Sequence, residues 1–243
     1  MIKTIIIFTY LIVSAIILLP IGFVAQILSY LGMKKPMYYV IYKIAQGWAL
    51  VCIKMTGCPT TITGMENIPK TGGICFVSNH EGLFDIVMVL AYLGRPFGFI
   101  AKKELLMIPV LNIWISMLGG LFIDRKNIRK AIKTIEKGIN KIKNGGSMII
   151  FPEGHRSKGR GLLPFHPGSL KLATQAQAPI VPMAISGGYD VFEKNSRATK
   201  THLKVHFCES INTADLSAQE KKQILSEKIR TQINEKLGFV PLP

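Results

Sequence analysis

No Asp, Glu, Lys or Arg occurs between Lys3 and Lys34, and no acidic residue precedes Glu66. A surface helix of a globular domain needs a charged face, so this absence excludes one here. The uncharged stretch TIIIFTYLIVSAIILLPIGFVAQILSYLGM, residues 4–33, would run roughly 45 Å as one helix, against a hydrocarbon core about 30 Å thick. It is too long for the apolar part of a secretory signal and shows no small-residue cleavage site. Pro20, with Gly22 just after it, predicts a kink or break. A second segment, MYYVIYKIAQGWALVCIKM, sets Tyr38, Tyr39, Tyr42 and Trp48 among isolated lysines, side chains suited to a membrane interface. Residues 1–58 therefore read as an apolar membrane-anchoring helical segment, either one span or a hairpin dipping into one leaflet, and residues 59–243 as the domain it carries. Lys34 and Lys35 favour the cytoplasmic face of the cytoplasmic membrane for the chain that follows.

Cysteine is also scarce. Cys52, Cys58, Cys75 and Cys208 show no CxxC spacing and lie mostly in apolar runs, which excludes a disulfide framework and reads as free thiols in a reducing compartment. Acidic residues number 14 against 30 Lys and Arg, a net charge of +16 that calls for an anionic partner. The chain is 49% hydrophobic and carries no zinc-finger or RNP signature, so anionic lipid or a phosphorylated substrate fits better than nucleic acid. No GxSxG elbow is present, and the cysteines lack a polar setting.

From residue 59 short β-rich runs alternate with helical periods. TTITG, GICFVS, FGFIA, LFID, SMIIF, IVPMAIS and LKVHF are the candidate strands, several of them apolar throughout, as strands covered on both faces are. Residues 127–143 set Ile128, Ile132, Ile135, Ile139 and Ile142 on one helical face, with Asn127 as cap and Gly145 beyond the end. A capping box, Ser217 to Glu220, opens a last helix that runs to about Lys236. The alternation predicts an α/β domain with a largely parallel mixed sheet flanked by helices.

Four stretches carry chemistry. In CFVSNHEGLFDIVM, residues 75–88, His80 and Asp85 are five apart, which on one regular helix would point them in different directions. They meet if His80 lies in a strand-to-helix turn and Asp85 in the first helical turn. Asp85 would then fix the imidazole tautomer and leave the other nitrogen as a base. That is two-thirds of a triad without its nucleophile, so the proton removed belongs to the substrate. Taken alone, a capping aspartate and a polar turn histidine would be the simpler reading. In GGLFIDR an apolar strand ends in Asp124 and Arg125. In IIFPEGHRSKGR a second ends in Pro152, Glu153, Gly154 and Arg156. Guanidinium groups at strand ends suit phosphate oxygens in an α/β cleft, and Gly154 permits a tight turn. In PIVPMAI a strand contains Pro182, which predicts an edge, a bulge or a cleft wall.

Together these blocks resemble the membrane-associated glycerolipid acyltransferases, and among them the lysophosphatidic acid acyltransferases, over roughly residues 60–190. Asn79-His80 with Asp85 is similar to the NHxxxxD block, which implies His80 as catalytic base oriented by Asp85. Phe122 to Arg125, and Phe151 to Gly154 with Arg156 and Ser157, resemble the FxxR and FPEGTRS blocks that bind the glycerol phosphate acceptor. Val181-Pro182 resembles the fourth block, and AKKELLMIP suggests Lys103 as a further phosphate partner. The resemblance thus implies Lys103, Arg125 and Arg156 around the acceptor phosphate, with Asn79, Glu153, Gly154, His155, Ser157 and Pro182 shaping the site. His155 stands where the family usually has Thr. The implied reaction moves an acyl chain from acyl-CoA or acyl carrier protein to the 2-hydroxyl of lysophosphatidic acid at the phospholipid surface, without metal or cofactor. An acyltransferase with another acceptor, glycerol 3-phosphate or a different lysolipid, and a non-catalytic membrane-anchored lipid-binding protein remain as alternatives. His202 and His206 share a strand face with Lys204, poor company for a metal.

Overall fold

The computed structural model describes residues 1–166 and 168–238. The uncharged N-terminus forms α1 (Ile2–Ile17) and α2 (Leu19–Tyr30), which meet at Leu18, where Pro20 in the first turn of α2 removes a backbone donor. The chain turns at residues 31–33 and returns as α3 (Lys34–Thr56). Lys3 Nζ donates to Thr56 O at 2.6 Å and Trp48 Nε1 to Ser14 Oγ at 2.9 Å, so the two arms run antiparallel.

Residues 2–56 form a helical hairpin whose first arm, residues 2–30, is long and apolar enough to cross a membrane. The hairpin lies along the α/β domain instead of projecting from it. Ala198 N donates to Thr4 Oγ1, Phe8 packs edge-on against Phe192 with ring centroids 5.1 Å apart, and Trp114 Nε1 donates to Ala15 O. A Cβ at Gly22 would meet Met117 Sδ at 2.9 Å. The outer side of α1 and α2, including Ile5, Ile12, Ile17, Ile21, Val24 and Ile27, is exposed. By contrast, Ile41, Tyr42, Ala45, Ala49, Cys52 and Ile53 of α3 are buried in the same core as Phe76, Met88 and Phe97. The boundary expected at residue 58 therefore divides the chain by composition and not by packing.

All seven expected strands form: β1 (Thr60–Thr63), β2 (Cys75–Ser78), β3 (Phe97–Lys102), β4 (Leu121–Ile123), β5 (Ser147–Ile150), β6 (Ile180–Ser186) and β7 (Leu203–Phe207). They make one mixed sheet in the order β1-β7-β6-β2-β5-β3-β4. Every pair from β6 to β4 is parallel, β1 is parallel to β7, and only β6 and β7 are antiparallel. Helices α4 (Phe84–Tyr92), α5 (Leu111–Met117), α6 (Ile128–Lys143), α7 (Lys171–Ala176) and α8 (Gly188–Phe192) join the strands. One core lies under α3 and α4, and a second, under α6 and the C-terminal helix, holds Ile139, Ile142, Leu172, Ile229 and Ile233.

Two expectations are corrected and a third is narrowed. The isoleucine stripe of α6 is buried only in its second half, at Ile139 and Ile142, while Ile128 and Ile132 stay exposed. The capping box at Ser217 and Glu220 forms, but the last helix is two, α9 (Ala218–Gln223) and α10 (Leu225–Leu237), offset at Ile224 so that Leu225, Ile229 and Ile233 are buried. Pro182 is not at an edge: it lies inside β6, opposite Val77 of β2, and on its other side it meets a bulge, where Val181 and Pro182 face the three residues 208–210. Its carbonyl accepts Cys208 N at 2.8 Å, so its backbone polar groups face β7. The β6–β7 ladder begins one residue later, at Met183 and Phe207, and the missing N–H breaks no ladder bond.

Candidate active site

Parallel pairing carries the ends of β6, β2, β5, β3 and β4 to one edge of the sheet, the edge where ligand clefts form in α/β folds. Blocks far apart in the chain thus become adjacent loops. β2 sits between β6 and β5, so His80 takes the middle of that edge.

Asn79 is buried, and its side-chain amide pairs with the backbone of Ile185, giving and receiving hydrogen bonds of 2.8 Å. It extends the β2–β6 ladder by one side chain and aims the next residue. His80 Nδ1 then lies 2.8 Å from Asp85 Oδ2. Asp85 is fully buried in the first turn of α4, and the same oxygen accepts the N–H groups of Glu81 at 2.6 Å and Gly82 at 2.9 Å. Phe151 stacks on the imidazole at 4.4 Å and restricts its rotation. With Nδ1 committed to a carboxylate, Nε2 carries the lone pair, and the side chain retains 18% exposure.

The FPEG loop is tied to this turn. Glu153, completely buried, accepts His80 N at 2.7 Å on one oxygen and Leu163 N at 2.9 Å on the other. Ser157 N donates to His80 O at 2.7 Å and Lys158 N to Glu81 O at 3.1 Å. Burial pushes the Glu153 carboxyl up to about 7, against the pull of its two N–H donors. Burial, then the nearby Asp85 carboxyl, pushes Glu81 up to about 8. Close-packed buried carboxyl groups cannot all ionise cheaply.

The expected phosphate ligands fare differently. Lys103 Nζ pairs with Asp124 Oδ2 at 2.8 Å, and that contact is the main cause that raises the lysine and lowers the aspartate. Arg156 pairs with Glu193, whose other oxygen accepts Leu83 N. Arg125 donates to Gly154 O, a carbonyl of the FPEG turn, and has no carboxylate partner among the described residues. The edge thus gathers all three cations, but two are already held by acids. Gly154 has φ +73°, and a Cβ there would strike the His166 ring at 2.5 Å. His155 is exposed and packs edge-on toward His166, ring centroids 6.4 Å apart. Pro182 lies deeper in the sheet than His80, and the residues that reach the edge after β6 are Gly187 and Gly188, outside the fourth block. His202 and His206 bond Thr61 and Thr63 on the outer strands.

Two residues escaped the sequence reading. A Cβ at Gly188 would lie 2.0 Å from Asp85 Oδ1, and one at Gly82 would lie 2.6 Å from Glu193 Oε2. The only signal was the SGGYD run closing a strand.

The sheet carries a His–Asp pair on its carboxyl edge with guanidinium groups beside it, and the acyltransferase family model matches residues 59–186. The chain belongs to that family, in its lysophosphatidic acid acyltransferase group. It is 34% identical over 198 residues to 1-acyl-sn-glycerol-3-phosphate acyltransferase of Borreliella burgdorferi, covering 79% of this chain and 78% of the relative. Against the enzyme of that name from Escherichia coli it is 32% identical over 170 residues, covering 69% and 68%. The crystal structure of the 1-acyl-sn-glycerophosphate (LPA) acyltransferase PlsC from Thermotoga maritima superposes with a TM-score of 0.79 at 25% identity, over 99% of both chains.

Proposed function

We propose that the protein transfers an acyl chain from a thioester to the 2-hydroxyl of 1-acylglycerol 3-phosphate, giving phosphatidic acid. The observation that carries the reading is the 2.8 Å contact from His80 Nδ1 to a buried Asp85, which leaves Nε2 free to act as a base, with no hydroxyl or thiol hydrogen-bonded to it among the described residues. In the reaction, Nε2 takes the proton of the acceptor hydroxyl as its oxygen attacks the thioester carbonyl. The C–O bond forms, the C–S bond breaks, and the imidazolium returns the proton to the departing thiolate. Asp85 stabilises the imidazolium while it exists. General-base help of this kind contributes about 10²–10⁴-fold, and alignment of the two substrates supplies much of the rest. Each step uses only the thioester, the hydroxyl and the His80–Asp85 pair.

Arg125 is the first phosphate ligand, because its guanidinium bonds only a carbonyl and keeps donors to give. Lys103 and Arg156 join when the phosphate competes with Asp124 and Glu193. The acceptor and product are amphiphiles, so the site opens at the membrane. The exposed apolar side of α1 and α2 lies in the bilayer surface, with Leu83 (64% exposed) and Met107 (84% exposed) bordering the site. Lys34 and Lys35 keep the α/β domain on the cytoplasmic face. Purified full-length protein assayed with lysophosphatidic acid, glycerol 3-phosphate and other lysolipids, each with acyl-CoA and acyl carrier protein, tests the reading. No turnover with lysophosphatidic acid and either donor would overturn it.

A further inference from the structure

A cavity of about 1260 Å³ opens at the sheet edge opposite His80, between the tip of the N-terminal hairpin and the starts of β3, β4 and β5. Lys34, Lys35, Lys70, Arg95, Lys137 and Lys141 line it, and no aspartate or glutamate does. None of the six has a carboxylate within ion-pair distance among the described residues. Arg95 donates to Pro69 O at 3.0 Å and Gly72 O at 2.8 Å, and Lys141 donates to Gly119 O. Burial lowers both cations, so they bear a desolvation cost with only carbonyls to offset it. Lys34 and Lys35 occupy the first turn of the 23-residue α3, where their charges oppose the helix dipole. Everything about the cavity's charge favours an anion.

We infer that this cavity binds the phosphate headgroup of an anionic phospholipid, at a site separate from the acceptor site. Three observations select the lipid. Tyr38, Tyr39, Ile41 and Met117 make part of the wall apolar, as a headgroup with its first acyl carbons requires. The flanking hairpin tip is apolar and open, with Tyr30 87% and Leu31 75% exposed. The four residues of β5 place about 13 Å of strand between the cavity wall at Ser147 and the FPEG loop, so one headgroup cannot occupy both sites. A carrier protein seated here would hold its thioester on the wrong side of that strand. The inference holds whichever acceptor the enzyme uses.

The test uses full-length protein in detergent, with phosphatidylglycerol, inorganic phosphate and acyl carrier protein as separate probes. The variant replaces Lys34, Lys35, Lys70 and Lys137 with Gln. A charge-matched control replaces Lys200, Lys204, Lys221 and Lys228. Native mass spectrometry should show one phosphatidylglycerol retained by the parent and the control, and at least a tenfold loss of retention in the cavity variant. Unchanged turnover in detergent should show that all three proteins are folded. Equal retention by both variants overturns the site. Inorganic phosphate binding the parent as tightly as the lipid overturns the lipid assignment. So does carrier protein binding that requires the four lysines while lipid retention does not.

Discussion

Gly188 and Asp85 are in contact across the end of the sheet, and the space that a Cβ would need at 188 is already filled by Asp85 Oδ1, 2.0 Å away. The glycine lets the β6–α8 turn close over the carboxylate that orients His80. Gly188→Ala is therefore expected to push Asp85 off the imidazole. The turnover number should fall about 10- to 100-fold, a fraction of full general-base help, with little change in KM for either substrate. Steady-state kinetics on the folded variant decide it, and a loss confined to KM would place Gly188 in binding instead.

His80→Ala should abolish transfer without unfolding the protein, and Asp85→Asn should cripple it less completely. An asparagine oxygen in the place of Oδ2 can still accept the same N–H groups, but it cannot stabilise the imidazolium by charge. Rates alongside circular dichroism check this. Near-normal turnover by folded His80→Ala would rule out the base.

Glu81 titrates at about 8 in the folded protein instead of the usual 4.5. Above 4.5 the unfolded chain releases this proton while the folded chain keeps it, so stability falls as pH rises from about 4.5 to about 8 and then levels. Glu153, at about 7, adds a fall of the same sign over a narrower window. Glu81→Gln removes one titration and should stabilise the protein at pH above 8 by an amount on the order of a few kcal/mol. Urea midpoints measured from acid to alkaline pH should show the flatter curve, and parallel curves for variant and parent would contradict it.

Arg125→Ala should weaken the acceptor ten- to a hundredfold, the loss of one charge-assisted bond worth roughly 1.5–3 kcal/mol. Arg156→Ala should cost less, since Glu193 already holds that guanidinium. Arg125→Lys should recover only part, because an ammonium lacks the paired donors. KM for each substrate in the three variants is the measurement. A larger effect on the thioester than on the lysolipid would reverse the assignment of the two sites.

Removal of residues 2–30 should leave a folded domain that no longer floats with liposomes, because α1 and α2 bury little beyond Ile7, Gly22 and Ala25. Removal through residue 57 should give no folded protein, since it takes Tyr42, Ala49 and Cys52 out of the core. Flotation and thermal melts of both truncations separate the outcomes. A cooperative melt from the longer deletion would show α3 to be dispensable.

All seven strands were legible because apolar runs bounded by Gly, Pro and Asn leave few other readings, and the His80–Asp85 turn followed from a spacing that no regular helix satisfies. Contacts between segments distant in sequence were not legible. Neither the pairing of Arg156 with Glu193 nor the closeness of Gly188 to Asp85 leaves a local pattern, because the partners are 37 and 103 residues apart. Pro182 is tolerated inside a paired strand because a proline breaks pairing only on the side its nitrogen faces, and there the partner chain bulges before it pairs again at Ile211. The membership of α3 in the core was hidden by its tyrosines, tryptophan and scattered lysines, a composition that suits a membrane interface as well as a protein core.

The order of the strands also sets a timetable for synthesis. β2 has its neighbours only when residues 147–150 and 180–186 exist, so the cleft cannot assemble before about three-quarters of the chain has left the ribosome. The hairpin is closed by contacts made within residues 1–57, such as Lys3 to Thr56 and Ser14 to Trp48. The apolar hairpin can therefore close while His80 is still an unpaired residue in an unfinished sheet, so the most apolar segment is settled long before the His80–Asp85 turn has its neighbours.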